Sequence, residues 1–374
     1  MFEVICLLKK LPVAAAALLL AVGLLAYPVE VGQAVGHALQ NCAGVVIPSL
    51  FPFMALSGFI ALADLGRFIA LPLAPLFKKV YGLSPELGGL VLSGFVGGYP
   101  VAASSMAALI DQKRMSPDTA ARLLTLCTNA GPSFVISIAG AAVLGSVRAG
   151  VALYGAQTLS AFITGWLFLR KQRVQSDTPA QGLPAAPALV KAVRDASLSM
   201  LYICGFYVVF SALIAVLQSS GLFEVFTGFI SMAALGHISA QTAGAALQGM
   251  LEVVAGCLAC RELPGPAAVA LVPFLLSFSS LSVFCQVASC LYGKGVSLRP
   301  FAYSRLIHGV LSTAIAIPLV RYFAPAAAVF SPQRSPEFSS PPETVIGTLC
   351  IVIMCSMLFL SAEDFGRRNL KNRP

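Results

Sequence analysis

The sequence predicts an all-α polytopic membrane protein of about eight transmembrane helices, arranged as two inverted repeats that each hold a re-entrant hairpin and a broken helix. Three observations carry this reading. Of the 374 residues 58% are hydrophobic and 10% charged, with mean hydropathy +0.87, a balance that water-soluble globules do not have. Apolar runs of membrane-spanning length recur along the whole chain. Two glycine-proline interruptions, GGYP at Gly97 to Pro100 and NAGP at Asn129 to Pro132, fall inside membrane-grade sequence. Backbone that leaves a helix in hydrocarbon must be buried in protein or line a polar cavity, and broken helices of this kind commonly mark a solute site.

Residues 1–27 open with Lys9 and Lys10 ahead of an apolar run from 11 to 27. This resembles a signal peptide, but Leu24 stands where cleavage needs a small residue, so the segment reads as an uncleaved anchor helix. Further spans are expected at 43–63, 117–146, 149–170, 196–219, 264–292, 300–322 and 343–361. The runs 117–146 and 264–292 are overlong and interrupted. Between the spans lie 82–110 and 238–260, each broken near its middle, and these read as re-entrant hairpins. Were they to cross, the charges would fall on inconsistent sides.

With both hairpins re-entrant and a cytoplasmic N-terminus, 20 of the 24 Lys and Arg residues fall on the cytoplasmic side, and only Arg148, Arg261, Arg321 and Arg334 fall outside. Both termini are then cytoplasmic in a multi-pass cell-membrane protein. The domains follow: an anchor helix at 1–27, a first repeat at 28–171, a polar Pro-rich cytoplasmic linker at 172–188, and a second repeat at 189–322. Residues 323–374 supply an external loop, a last transmembrane helix and a basic tail. The repeats show in the alignment of LSPELGGLVLSGF (Leu83 to Phe95) with ISAQTAGAALQGM (Ile238 to Met250), and of NAGPSF with SSLSVF (Ser279 to Phe284).

The net charge of +9 does not indicate nucleic acid, because the cations sit in short clusters beside apolar spans. Cys127, Cys204, Cys285, Cys350 and Cys355 lie in apolar runs, where cysteine acts as a small hydrophobe. Cys257 and Cys260 form a lone CxxC, and His37, His237 and His308 are too scattered for a metal site. The chain carries no HExxH, GxSxG or P-loop pattern, so neither an enzyme nor a cofactor or metal site is expected; the expected partners are the lipid bilayer and a small-molecule solute, with a homo-oligomer left open.

Candidate solute-binding residues follow from the breaks. The first half offers Gly98, Tyr99, Pro100, Ser104 and Ser105 on the hairpin, with Thr128, Asn129, Gly131 and Ser133 at the helix break. The second offers Glu252 and Gly256 on its hairpin and Ser277, Ser279, Ser280, Ser282 and Gln286 on its broken helix. Asn129 has both donor and acceptor beside a proline that frees a carbonyl; it either contacts solute or ion, or satisfies its own backbone. GGYP is either near the ligand or simply a tight tip. The second-half serines are a polar strip or small packing residues. Glu252, the carboxylate inside a hairpin, is a candidate for proton or sodium coupling, unless it sits at an aqueous end or pairs with Arg261. His308, one turn from Arg305, reads as an interfacial hydrogen bonder rather than a proton carrier.

The segments VIPSLFPFMALSGFI (Val46 to Ile60), LSGFVGGYPVAA (Leu92 to Ala103) and LLTLCTNAGPSFVI (Leu123 to Ile136) together resemble the nucleoside-recognition (Gate) membrane family, and within it the sporulation integral membrane protein YlbJ group. The arrangement is similar to concentrative nucleoside transporters and to the membrane part of the ferrous-iron transporter FeoB. The resemblance implies solute movement in a spore-forming bacterium at a forespore membrane, with dipicolinic acid as the cargo. It carries roles onto Gly97, Gly98, Tyr99, Pro100, Asn129, Gly131 and Pro132. GGYPVAASS lacks the carboxamide and carboxylate contacts of nucleoside transporters, whereas exposed helix N-termini with Ser or Tyr donors suit an anion.

Overall fold

A computed structural model describes residues 14–324 apart from 16, 66–67, 69–70 and 170–181. The last span expected at 343–361, the external loop, the basic tail and most of the linker lie outside the described residues. Five helical stretches among them are long and apolar enough to cross a bilayer: Pro28–Leu62, Val147–Leu169, Ala185–Ser219, Gly265–Cys290 and Arg299–Phe323.

Helix α1 (Ala17–Ala26) is followed at once by α2 (Pro28–Leu62), with Pro28 in the first turn where its missing N–H is tolerated. Sequence hydropathy starts this span at 43, because His37, Gln40 and Asn41 dilute the apolar signal of the first turns. Helix α2 widens into a π turn at Cys42–Val46, where the Ile47 N–H reaches back to Cys42 O. Pro48 cannot donate, and the widened turn accommodates that loss without ending the helix.

A short helical stretch at 71–81 leads to α3 (Pro85–Gly97) and α4 (Tyr99–Asp111). Helix α5 (Pro117–Cys127) is capped by Ser116, whose hydroxyl accepts from the Thr119 N–H at 3.2 Å. After an unwound stretch comes the π-helical α6 (Phe134–Val143), then α7 (Val147–Leu169). Helix α8 (Ala185–Ser219) begins inside the polar stretch 172–188 and runs about 52 Å at 1.5 Å per residue. Its first turns are surface-like, with a Lys191–Asp195 ion pair at 3.2 Å.

The order then repeats. After α9 (Leu222–Ala233), α10 (Ala240–Leu251) and α11 (Val253–Ala259) are broken at Glu252, α12 (Gly265–Phe278) and α13 (Leu281–Cys290) are broken at Ser279 and Ser280, and α14 (Arg299–Phe323) follows. Both expected hairpins double back. A methyl on Gly94 would lie 3.0 Å from Ala102 Cβ, although a continuous helix would separate residues eight apart by about 12 Å. Gly249 and Gly256 meet backbone to backbone in the same way.

Small residues set the helix spacing, as expected where lipid gives no hydrophobic drive for association. Gly140 of α6 packs directly on Gly150 of α7, and Gly309 of α14 admits the Phe274 ring of α12. Helix α7 packs on α14, and α2 on α8. Outward faces are apolar, with Leu201, Tyr202 and Val209 on α8 and Tyr303, Leu306 and Val310 on α14.

Candidate functional site

Each break exposes backbone groups that must be satisfied elsewhere. In the first hairpin Gly98 adopts φ +87 and ψ −176, a conformation essentially confined to glycine. The tip lies on the NAGP break: a methyl on Gly98 would sit in ordinary contact, 3.5 Å from Gly131 N, and one on Gly131 would sit more tightly, 3.3 Å from Val96 O. Gly98→Ala is therefore expected to destabilise the protein by about 1–3 kcal/mol. A melting curve in detergent superimposable on wild type would show that the tip relaxes without cost.

At the NAGP break, Pro132 cannot supply the N–H that would bond Thr128 O in a continuous helix. Arg305 of α14 supplies it: Nη1 donates to Thr128 O at 2.7 Å and Nη2 to Thr125 O at 2.8 Å. Asn129 Nδ2 donates to Leu126 O at 2.7 Å, and Gln157 Nε2 of α7 donates to Ala130 O at 2.9 Å. Three side chains thus close the carbonyls that the break leaves open.

In the second half Ser279 takes φ +61, in the left-handed region uncommon for a residue other than glycine, and Ser280 caps α13 by accepting from the Val283 N–H at 3.3 Å. The carbonyl of Leu276, freed by this break, accepts from the Tyr99 hydroxyl at 2.6 Å. Tyr99 thus ties the first hairpin to the second broken helix. Glu252 is extended at φ −144, ψ 121 and caps α11, accepting from the Ala255 N–H at 2.7 Å. It is buried and makes no ion pair with Arg261 among the described residues.

Helix α14 carries the charge. Arg305 is 2% exposed, lies over the Phe301 ring at 4.9 Å and bonds no carboxylate among the described residues. Its Nε donates to Ser304 Oγ at 3.3 Å, and Nη1 also donates to His308 Nδ1 at 3.2 Å. With Nδ1 accepting, His308 Nε2 holds the proton and donates to Gln157 O at 3.0 Å. His308 is fully buried, so it belongs to this interior network and not to the membrane interface. Buried oxygens without a partner gather at the same breaks: Thr128 Oγ1, Asn129 Oδ1, Ser133 Oγ, Gln157 Oε1 and Ser277 Oγ. Hydroxyls and carboxamides sealed from water without partners are costly, and here they sit around a buried cation.

The chain is similar to a sporulation integral membrane protein. That relative, YlbJ of Bacillus subtilis (strain 168), is 26% identical over 331 residues, covering 79% of this chain and 80% of its own length. No protein-family model matches the chain, and no solved structure matches it. This is accordingly a membrane protein homologous to the sporulation protein YlbJ.

Of the sequence candidates, Gly98, Tyr99, Thr128, Asn129, Gly131, Ser133, Ser279 and Ser280 lie at the joined breaks, with Pro100 buried in the first turn of α4. Ser282 and Gln286 bond each other along α13, Nε2 to Oγ at 3.3 Å. Ser104 lies against Cys290 Sγ of α13 at 3.3 Å. Glu252 caps the other hairpin, within electrostatic reach of Tyr99. Sequence reasoning missed Arg305 and Gln157 as site residues. The signal for Arg305 was its place six residues inside α14, one turn before a histidine, which is deep for a topology marker.

Proposed function

We propose that this protein is a transporter of a small organic anion, working by alternating access around the joined helix breaks. The observation that carries it is Arg305: a buried guanidinium without a carboxylate partner among the described residues, beside unsatisfied hydroxyl and amide oxygens. The half-helices α4, α6 and α13 begin at these breaks, and helix N-termini favour negative charge. Arg305 has five N–H donors, four of them engaged within the protein, which leaves one Nη2–H for a ligand.

The matching order of hairpin, broken helix and long helix in both halves supports the inverted-repeat architecture of secondary transporters, with the breaks at the bilayer midplane. Similarity to a sporulation integral membrane protein supports a role in sporulation, and the family resemblance of the sequence suggests a forespore membrane as the location and dipicolinic acid, a planar dicarboxylate, as the cargo. Arg305 and helix N-termini suit that cargo better than a neutral nucleoside.

The test is uptake of radiolabelled pyridine-2,6-dicarboxylate into proteoliposomes, with uridine as competitor. Saturable uptake that uridine leaves untouched is expected. Asn129→Ala, which frees Leu126 O and removes the unpartnered Oδ1, is expected to abolish uptake at near-normal protein abundance. Uptake blocked by uridine would point to a nucleoside carrier, and inert, well-folded protein would point to a membrane scaffold.

A further inference from the structure

A cavity of about 160 Å³ opens between α2, α8 and the second hairpin, and none of Arg305's hydrogen-bond partners lines it. Its walls are polar for a membrane protein: His37 and Asn41 from α2, Tyr207, Ser211 and Gln218 from α8, and Gln248 from α10. Asn41 Nδ2 donates to the Tyr207 hydroxyl at 3.0 Å, which fixes one wall. The volume has room for several waters, and the polar side chains of the lining supply donors and acceptors for them.

The cavity ends against the two residues that hold Glu252 from either side. Its lining includes Gln248, whose carbonyl accepts from the Glu252 N–H at 2.7 Å, and Ala255, whose N–H donates to Glu252 Oε2 at 2.7 Å. Glu252 itself is 2% exposed, directly behind that wall. The titratable groups near it are Cys42 of α2, Tyr207 of α8, Tyr99 of α4 and Cys257 of α11, with His37 of α2 in the cavity wall. None of these is a cation that would hold the carboxylate permanently charged. Gln218, in the cavity wall, lies 27 residues along α8 from Lys191, about 40 Å from the Lys191–Arg194 cluster.

We propose that this cavity is a water path that delivers protons to Glu252, making Glu252 a proton-loading site. Hydronium in the cavity gives its proton to a carboxylate oxygen and leaves water, so Glu252 becomes neutral and nothing is oxidised or reduced. A proton needs one free lone pair. A sodium ion would need a shell of several oxygens around the same carboxylate. Coupling of the loaded proton to anion movement rests on the transport reading; the loading itself does not.

The experiment is infrared difference spectroscopy of the full-length protein in lipid. A protonated-carboxyl band that bleaches as pH is raised is expected in wild type, and its loss in Glu252→Gln. Glu252→Asp, which keeps both cap and carboxyl, should restore a shifted band and shows that the first variant's loss is not unfolding. Filling the cavity with Ser211→Leu and Gln248→Leu together should slow deuterium exchange of the band by at least about tenfold, the factor for a barrier raised by about 1.4 kcal/mol. A band that persists in Glu252→Gln, the lack of any titrating band, or exchange unaffected by the filled cavity would each overturn the proposal. In proteoliposomes an acid-outside gradient of one pH unit should raise the accumulation ratio of pyridine-2,6-dicarboxylate up to about tenfold per coupled proton. The two readings fail separately: a titrating, exchanging band with no uptake sinks the transport reading, and pH-independent uptake without the band sinks proton loading.

Discussion

Arg305→Met is expected to abolish saturable pyridine-2,6-dicarboxylate uptake. Removing one partner of a buried charge pair costs about 2–5 kcal/mol, or roughly 30-fold to several thousand-fold in affinity. The variant also strips Thr125 O and Thr128 O of their donors, so some stability should go with the activity. Arg305→Lys separates the two effects. Lysine keeps the charge but not the planar fork that spans both carbonyls, so weakened uptake with a partial loss of stability is expected. The deciding measurement pairs initial uptake rates with the melting temperature with and without the dicarboxylate. If both variants transport like wild type and are protected by the ligand as well as wild type is, Arg305 is only a helix cap.

The second large effect concerns packing. Gly150→Leu should leave little folded protein, because a Cβ at Gly150 would already lie 2.7 Å from both Cα and O of Ile136, where backbone cannot yield as a side-chain tip does. Overpacking of a close-packed interior typically costs about 1–3 kcal/mol, and contact with backbone places this site at the top of that range. Gly155→Leu on the same helix meets nothing within 4 Å and serves as the matched control. Detergent-solubilised yield and melting temperature should collapse for the first and stay near wild type for the second. Equal behaviour of the two would mean that α6 and α7 are not in contact at Gly150.

The hairpins and broken helices were legible because glycine, proline and serine at bilayer depth have few other uses, and GGYP and NAGP mark their breaks to within a residue. The extent of α2 was not. Hydropathy rejects His37, Gln40 and Asn41, and two of these are the residues that line the cavity beside Glu252. Arg305 was hidden for a related reason: a basic residue near the end of a span reads as a cytoplasmic anchor until the fold shows α5 packed against it. Gln157 gave no local signal at all, since its role depends on the Ala130 carbonyl, 27 residues earlier in sequence. In each case the missing information was a long-range partner.

Those long-range partners also fix a sequence of events at the ribosome. Thr128 is polymerised 177 residues before Arg305, and Tyr99 is likewise 177 residues ahead of Leu276. At about 5–20 residues per second, the first broken helix waits roughly 10–35 s for the guanidinium that closes its carbonyls. On the transport reading the break lies at bilayer depth, where lipid offers that bare backbone no substitute throughout the interval. The first half therefore depends on the insertion machinery to shelter it until α14 is made, and a chain truncated before Arg305 should be cleared by quality-control proteases.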